Sequence, residues 1–287
     1  MTPLYERHEH QPLDSPVLLL ATDSWVDAGM GAAGALAHVL DTIPTEPLAT
    51  FDADSLIDFR ARRPTVRITD GVVAELSWPV IQLRAGRDAA GQHLLALVGP
   101  EPDMAWHAFV AAVVELASEL GVRLVVSAGA YPAAVPHTRP VRLTAIATNP
   151  ELAAKVGIVP GSSEVPAGIQ TALQQGLAEV GIPAVGIWAR VPHYLAATPF
   201  PAASAALVEA LADVTGLALD AGELREAAEG MTAEVEQVIA NSDEGRGMIE
   251  QLEAAYDTAA ATESDLADMP SGDELAAELE RFLRDQP

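Results

Sequence analysis

Short apolar runs bounded by turn signals alternate with helical stripes over the first three quarters of the chain, and this alternation most constrains the fold. The run VLLLA, ending at Ala21, reads as a buried strand, and Gly29 to Leu40 reads as a helix. Two hairpins follow. PTVRITDGVVAELSW turns at Asp70-Gly71, a strong short-range hairpin signal, and PVIQLRA and HLLALVG flank the turn-like GRDAAGQ. From Asp103 to Leu120, the residues Trp106, Phe109, Val110, Val113, Ala117 and Leu120 share one helical face, and Gly121 stops the helix. RLVVSAG and RLTAIAT read as strands. Asn149 caps a short helix with Pro150 at its first position. A helix over Ala167 to Val180, the strand AVGIWA and a helix over Ala202 to Val214 complete the pattern. The predicted class is α/β, a mixed sheet with helices on both faces.

From Asp220 onward, acids far outnumber Arg225, Arg246, Arg281 and Arg284, and the pattern becomes helical. The predicted organisation is an α/β core over 1–219 and an acidic helical extension over 220–287. Leu224, Ala227, Ala228, Met231, Val235, Val238 and Ile239 make an apolar stripe, expected to pack on the body or on a neighbouring subunit. NSDEGRG breaks it, and Met248, Ile249, Leu252, Ala255 and Tyr256 resume it. AAATESDLADMP reads as a linker, and Ser271 and Glu274 as the capping box of a last helix bearing Leu275, Leu279, Phe282 and Leu283.

Composition excludes several function classes. The chain of 287 residues has no cysteine, which rules out disulfides and thiolate metal sites. A net charge of −25 argues against a nucleic-acid partner. No apolar run approaches the ~18 residues of a membrane span, and the segment behind MTPLYERHEHQPLDSP is too short for a signal peptide. A cytoplasmic setting is the expectation.

Gly29, Gly31 and Gly34 are spaced G-x-G-x-x-G, with Asp52 and Asp54 downstream where a ribose-binding acid would be sought. A dinucleotide site, however, needs the strand to run straight into the first glycine. Here TDSWVDA intervenes, carrying the acids Asp23 and Asp27, which would repel a pyrophosphate. The small residues are read as helix packing, and no cofactor is expected.

Two loops share Val-Pro-His: Val135, Pro136, His137 and Val191, Pro192, His193, each after a predicted strand. If the strands are parallel, both loops lie at the carboxyl edge of the sheet, where open α/β sheets bind ligands. The loop TDSWVDAG would join them, making Trp25, Asp27, Tyr131, His137, Arg139, His193 and Tyr194 the candidate pocket. Histidine suits acid–base work near neutrality, and Arg139 suits a carboxylate or phosphate. The plainer reading is that the Pro-His pairs shape the loops. No catalytic residue is assigned: Ser127 in SAG is no nucleophile elbow. The His8-Glu9-His10 run is a weak metal motif, and PGSSEVPAG reads as a surface turn, so no metal site is expected.

SWVDAGMGAAGAL, WPVIQLR, YPAAVPHTRPV, VPAGIQTALQQGLAEVGIPAVGIWARVPHY and PSGDELAAELERFLR together resemble the PAC2 family, named after a proteasome assembly chaperone, and most nearly its actinobacterial branch. The resemblance implies a phosphorylase- or hydrolase-like fold, often in homo-oligomers, with a trimer expected by analogy. It supplies no accepted catalytic set, and the bacterial members have no settled role. Eukaryotic relatives bind proteasome α subunits, some through a terminal hydrophobic-Tyr-any motif that FLRDQP lacks. Two readings follow: a homo-oligomeric interaction or assembly-chaperone-like protein, with protein partners such as proteasome subunits, or an enzyme or binder of a small anionic metabolite at the carboxyl edge.

Overall fold

A computed structural model describes residues 4–158, 161, 162 and 164–267. The strands are β1 (Tyr5–Arg7), β2 (Val17–Thr22), β3 (Thr45–Phe51), β4 (Thr65–Thr69), β5 (Val72–Ser77), β6 (Gln82–Arg87), β7 (His93–Gly99), β8 (Leu124–Ala133), β9 (Leu143–Ala147) and β10 (Ala184–Pro192). The helices are α1 (Gly31–Thr42), α2 (Ala53–Leu56), α3 (Trp106–Glu119), α4 (Pro150–Val156), α5 (Ile169–Glu179), α6 (Pro201–Thr215), α7 (Gly222–Ala240) and α8 (Asp243–Ala267).

Eight strands form one mixed sheet in the order β1-β3-β6-β7-β2-β8-β10-β9. The centre is parallel: β2 pairs with β7 and β8, and β8 with β10. Antiparallel strands flank it on both sides. Successive residues of β2 point to opposite faces, as the pleat requires. Val17 and Leu19 join the core under α1 and α6, while Leu18 and Leu20 join the core under α3 and α5. Both layers of helices are thereby accounted for by one continuous apolar run.

The glycines after β2 are packing devices. A Cβ on Gly31 would come within 3.0 Å of Ala130 Cβ and 3.1 Å of Ala203 Cβ, and one on Gly34 within 2.5 Å of Ser204 Oγ. They let α1 lie directly against α6 and β8. Asn149 caps α4 as expected, accepting the Leu152 N–H at 2.9 Å.

Three expectations are corrected. The segment read as a linker is helical as far as Ala267, because its alanines, Glu263 and Leu266 are good helix formers and it holds no glycine or proline before Pro270. Helix α3 starts at Trp106, not Asp103, since Ala105 is held left-handed at φ 55°. Along α7, Leu224, Met231 and Val235 pack on the core as the stripe requires, but Ala227 and Val238 face solvent. α7 is longer than α6, 19 residues against 15, and Val238 in its last turn stays uncovered. The last helix, with Ser271, Glu274, Leu275, Leu279, Phe282 and Leu283, lies outside the described residues.

Candidate functional site

Because β2, β8 and β10 are mutually parallel, the loops that leave them open on one edge of the sheet. The first loop is tied down by Asp27. Its backbone bridges Ala130, and its carboxylate accepts the N–H of Ala32 at 2.8 Å and of Ala33 at 2.9 Å. Both oxygens thus cap the first turn of α1, at the position a pyrophosphate would need. Burial pushes the Asp27 carboxyl up, and these N–H bonds pull it back.

A cleft of about 520 Å³ lies here, with Thr22, Asp23, Trp25, Asp27, Arg62, Glu101 and Gln170 in its wall. Trp25 is 59% exposed. Glu101 accepts the Ile169 N–H at 2.7 Å and so caps α5. The buried Gln170 amide donates to the Thr22 carbonyl at 3.0 Å. Arg62 is the cation of the wall, and it is already engaged by Asp103 at 3.2 Å and Asp23 at 3.7 Å. Three carboxylates against one committed guanidinium make the field negative. An anion is disfavoured there; a cationic or neutral polar group beside the Trp25 ring is favoured.

A second cluster forms where α8 folds back onto the same edge. The Tyr194 hydroxyl accepts the His137 backbone N–H at 2.9 Å and lies 2.8 Å from His137 Nδ1. His137 is buried, and its Nε2 has no hydrogen-bond partner among the described residues. Burial lowers its pKa, so the neutral ring is favoured. Burial likewise raises the Tyr194 phenol. The exposed His193 ring meets Tyr194 edge-on at 5.4 Å between centroids. Arg139 donates from Nε and Nη2 to the two oxygens of Asp257, both at 2.9 Å, and from Nη1 to Glu253 at 3.0 Å. Those bonds hold the Asp257 carboxyl below its usual range. Tyr256 donates to the Pro140 carbonyl at 2.9 Å, and Arg142 stacks over its ring at 4.1 Å.

The seven sequence-predicted residues therefore divide. Trp25 and Asp27 line the cleft. His137, Arg139, His193 and Tyr194 gather around Tyr194 and α8, with Arg139 clamping the chain's own acids. Tyr131 accepts a hydrogen bond from Arg190 Nε at 3.1 Å and leans on Trp188. Sequence reasoning missed Arg62, Glu101 and Gln170. Gln170 had a signal: with Gln174 it sits on the buried stripe of Ile169, Leu173 and Leu177, where a polar side chain needs a partner. Among the described residues, no group of three or more His, Asp or Glu side chains could hold a metal ion.

The family model described as the PAC2 family matches residues 21–239. The chain belongs to the PAC2 family. The span runs from the end of β2 to the end of α7, and so includes both clusters' loops. Solved relatives from actinobacteria agree along nearly the whole length. An unknown-function protein of Mycobacterium tuberculosis, Rv2714, is 34% identical with TM-score 0.84, covering 93% of each chain. A Corynebacterium glutamicum protein of unknown function is 30% identical with TM-score 0.82, over 89% of this chain and 97% of that one. The Mycobacterium tuberculosis proteasome-assembly chaperone homologue Rv2125 is 32% identical with TM-score 0.74, over 81% of this chain and 99% of that one. No curated protein matches the sequence.

Proposed function

We propose that this PAC2 protein works by protein–protein contact, as a cytoplasmic homo-oligomer that assists assembly. One observation carries the reading. The β4–β5 hairpin stands apart from the main sheet as a two-stranded arm, and all its strand residues are exposed. Val66 pairs with Leu76 and Ile68 with Val73, so one face of the arm is apolar. Ile68 is 61% and Val73 64% exposed. On the other face, Arg67 pairs with Glu75. A lone two-stranded hairpin is marginal in water, and a contiguous apolar face of this kind marks an interaction surface. The kinship with a proteasome-assembly chaperone homologue supports ring subunits as the first partners to try. No helix among the described residues is long and apolar enough to cross a membrane, which fits this setting.

The body over 1–219 would supply the arm, and the extension from 220 the rest of the contact surface. A trimer is the expected copy number. The test is capture of proteasome α subunits by the full chain, with an Ile68→Asp, Val73→Asp variant beside it. Capture that the variant loses supports the reading. Equal capture by both, or none by either, together with a monomeric wild type, would refute it.

A second reading follows from the cleft: a small ligand bound beside Trp25. The wall's charge favours an amine over the anionic metabolite that the sequence suggested. A thermal-shift screen with both classes separates them.

A further inference from the structure

The amino ends of the parallel strands carry a pocket of opposite sign to the Trp25 cleft. β2, β7 and β8 all start at this edge, and antiparallel β6 ends there. A cavity of about 420 Å³ opens between them, with Asp14, Ser15, Arg87, Gln92, His93 and Arg123 in its wall. It sets two guanidiniums against one carboxylate, in a chain of net charge −25.

Neither guanidinium is neutralised. Arg87 is exposed and meets no carboxylate among the described residues. Arg123 donates from Nη2 to the Thr215 carbonyl at 2.5 Å, which seats it at the end of α6, and it too meets no carboxylate among the described residues. The Asp14 carboxylate accepts the Ser15 hydroxyl at 3.2 Å. The next acid, Asp88, is buried, and its oxygens are taken by the N–H groups of Ala90, Gln92 and Ala218. Those bonds, with the Gln92 side chain donating to the Gly216 carbonyl, fix the turn behind Arg87 against the end of α6. The frame that carries the cations is therefore set before any ligand arrives.

His93 supplies a third donor. Its Nδ1 lies 2.7 Å from the Asp14 backbone nitrogen, while the Asp14 carbonyl stands farther off at 3.3 Å. A backbone N–H can only donate, so Nδ1 accepts, and the neutral ring carries its proton on Nε2. That Nε2 is buried and has no hydrogen-bond partner among the described residues. A buried donor left without an acceptor is costly, and an oxyanion in the cavity supplies one.

We propose that this pocket binds a small oxyanion of the phosphate class, free or as the phosphate group of a larger molecule, between Arg87 and Arg123, with the His93 Nε2–H as a third donor. Guanidinium forks match the oxygens of such an anion and bind it by charge-assisted hydrogen bonds. The site lies at the edge opposite both the Trp25 cleft and the α8 seat, and it rests on neither functional reading above.

Calorimetric titration of the full chain with inorganic phosphate, against chloride at matched ionic strength, tests this. One saturable site per chain is expected. Arg87→Gln and Arg123→Gln should each weaken it at least about tenfold. Arg225→Gln, on α7, should leave it unchanged. Arg87 has no ionic partner to lose, so Arg87→Gln keeps the test open should Arg123→Gln unfold, with melting temperatures as the control. In nitrogen-15 NMR the His93 Nε2 resonance should shift as phosphate saturates. Phenyl phosphate is the second probe: tighter binding than inorganic phosphate supports the site with a phosphorylated molecule as its ligand, and equal or weaker binding supports it with the free anion. No saturable binding of either probe, or binding that Arg87→Gln leaves intact, overturns the proposal. Acetate bound as tightly as phosphate, or a His93 resonance that stays still at saturation, also overturns it.

Discussion

The two hairpins of this chain obey the same local rules and meet opposite fates. In β4–β5, Asp70 and Gly71 take φ of 50° and 80°, the backbone a tight two-residue turn requires, and the tip touches nothing: a Cβ on Gly71 would meet no atom within 4 Å. In β6–β7 the turn is anchored. Asp88, buried, accepts the N–H groups of Ala90 at 2.9 Å, Gln92 at 2.8 Å and Ala218 at 2.7 Å, the last from beyond the end of α6. β7 then lies between β6 and β2, and Leu94, Leu95 and Leu97 are sealed under helices. Turn chemistry and alternation made both hairpins. What lies across the apolar face decides which is core and which is left asking for a partner.

Point substitutions should reproduce that contrast in the monomer's stability. Leu97→Ala removes a fully buried side chain and is expected to cost about 2–5 kcal/mol in urea unfolding. Asp88→Ala strands three backbone donors and should cost about 1.5–3 kcal/mol. Ile68→Ala in the arm should stay within about 0.5 kcal/mol below the assembly concentration. If Ile68→Ala costs as much as Leu97→Ala there, the arm is part of the monomer's core and the contrast fails.

A smaller effect concerns the α8 seat. Burial holds the folded-state pKa of His137 below its ordinary 6.5, although Glu236 and Glu253 pull it upward. The unfolded chain therefore takes up this proton first. His137 contributes no pH dependence well above 6.5, and stability falls as pH drops below 6.5 toward the folded value. The melting temperature of wild type is expected to decline more steeply between neutral pH and mild acid than that of His137→Gln. Identical slopes would mean the ring protonates freely, in which case the α8 seat is as open as the arm.

Much of the fold was legible because periodicity and turn residues are local. The central strands, both hairpins, the Asn149 cap and the packing role of Gly31 and Gly34 follow from spacing. β1 and β3 escaped the reading. β1 has three residues, and β3 contains Pro47 beside a register shift, so neither carries a clean alternating signature. At the site, the repeated Val-Pro-His placed His137 and His193 on one edge, and both rings do meet Tyr194. That Arg139 is closed by Glu253 and Asp257 was not readable, because it depends on α8 returning over more than a hundred residues of chain. The full charge of the cleft also needed the fold, since Glu101 and Arg62 come from other loops than the one that carries Asp23 and Asp27.

Amide hydrogen exchange across a concentration series, read separately for 65–77 and 82–99, puts the contrast to its most direct trial. The β6–β7 amides should exchange slowly and equally at every concentration. Those of the arm should exchange rapidly in dilute protein and become protected as the particle mass rises. Arm amides that stay unprotected in the fully assembled particle would contradict the claim that this hairpin exists to be covered by another chain.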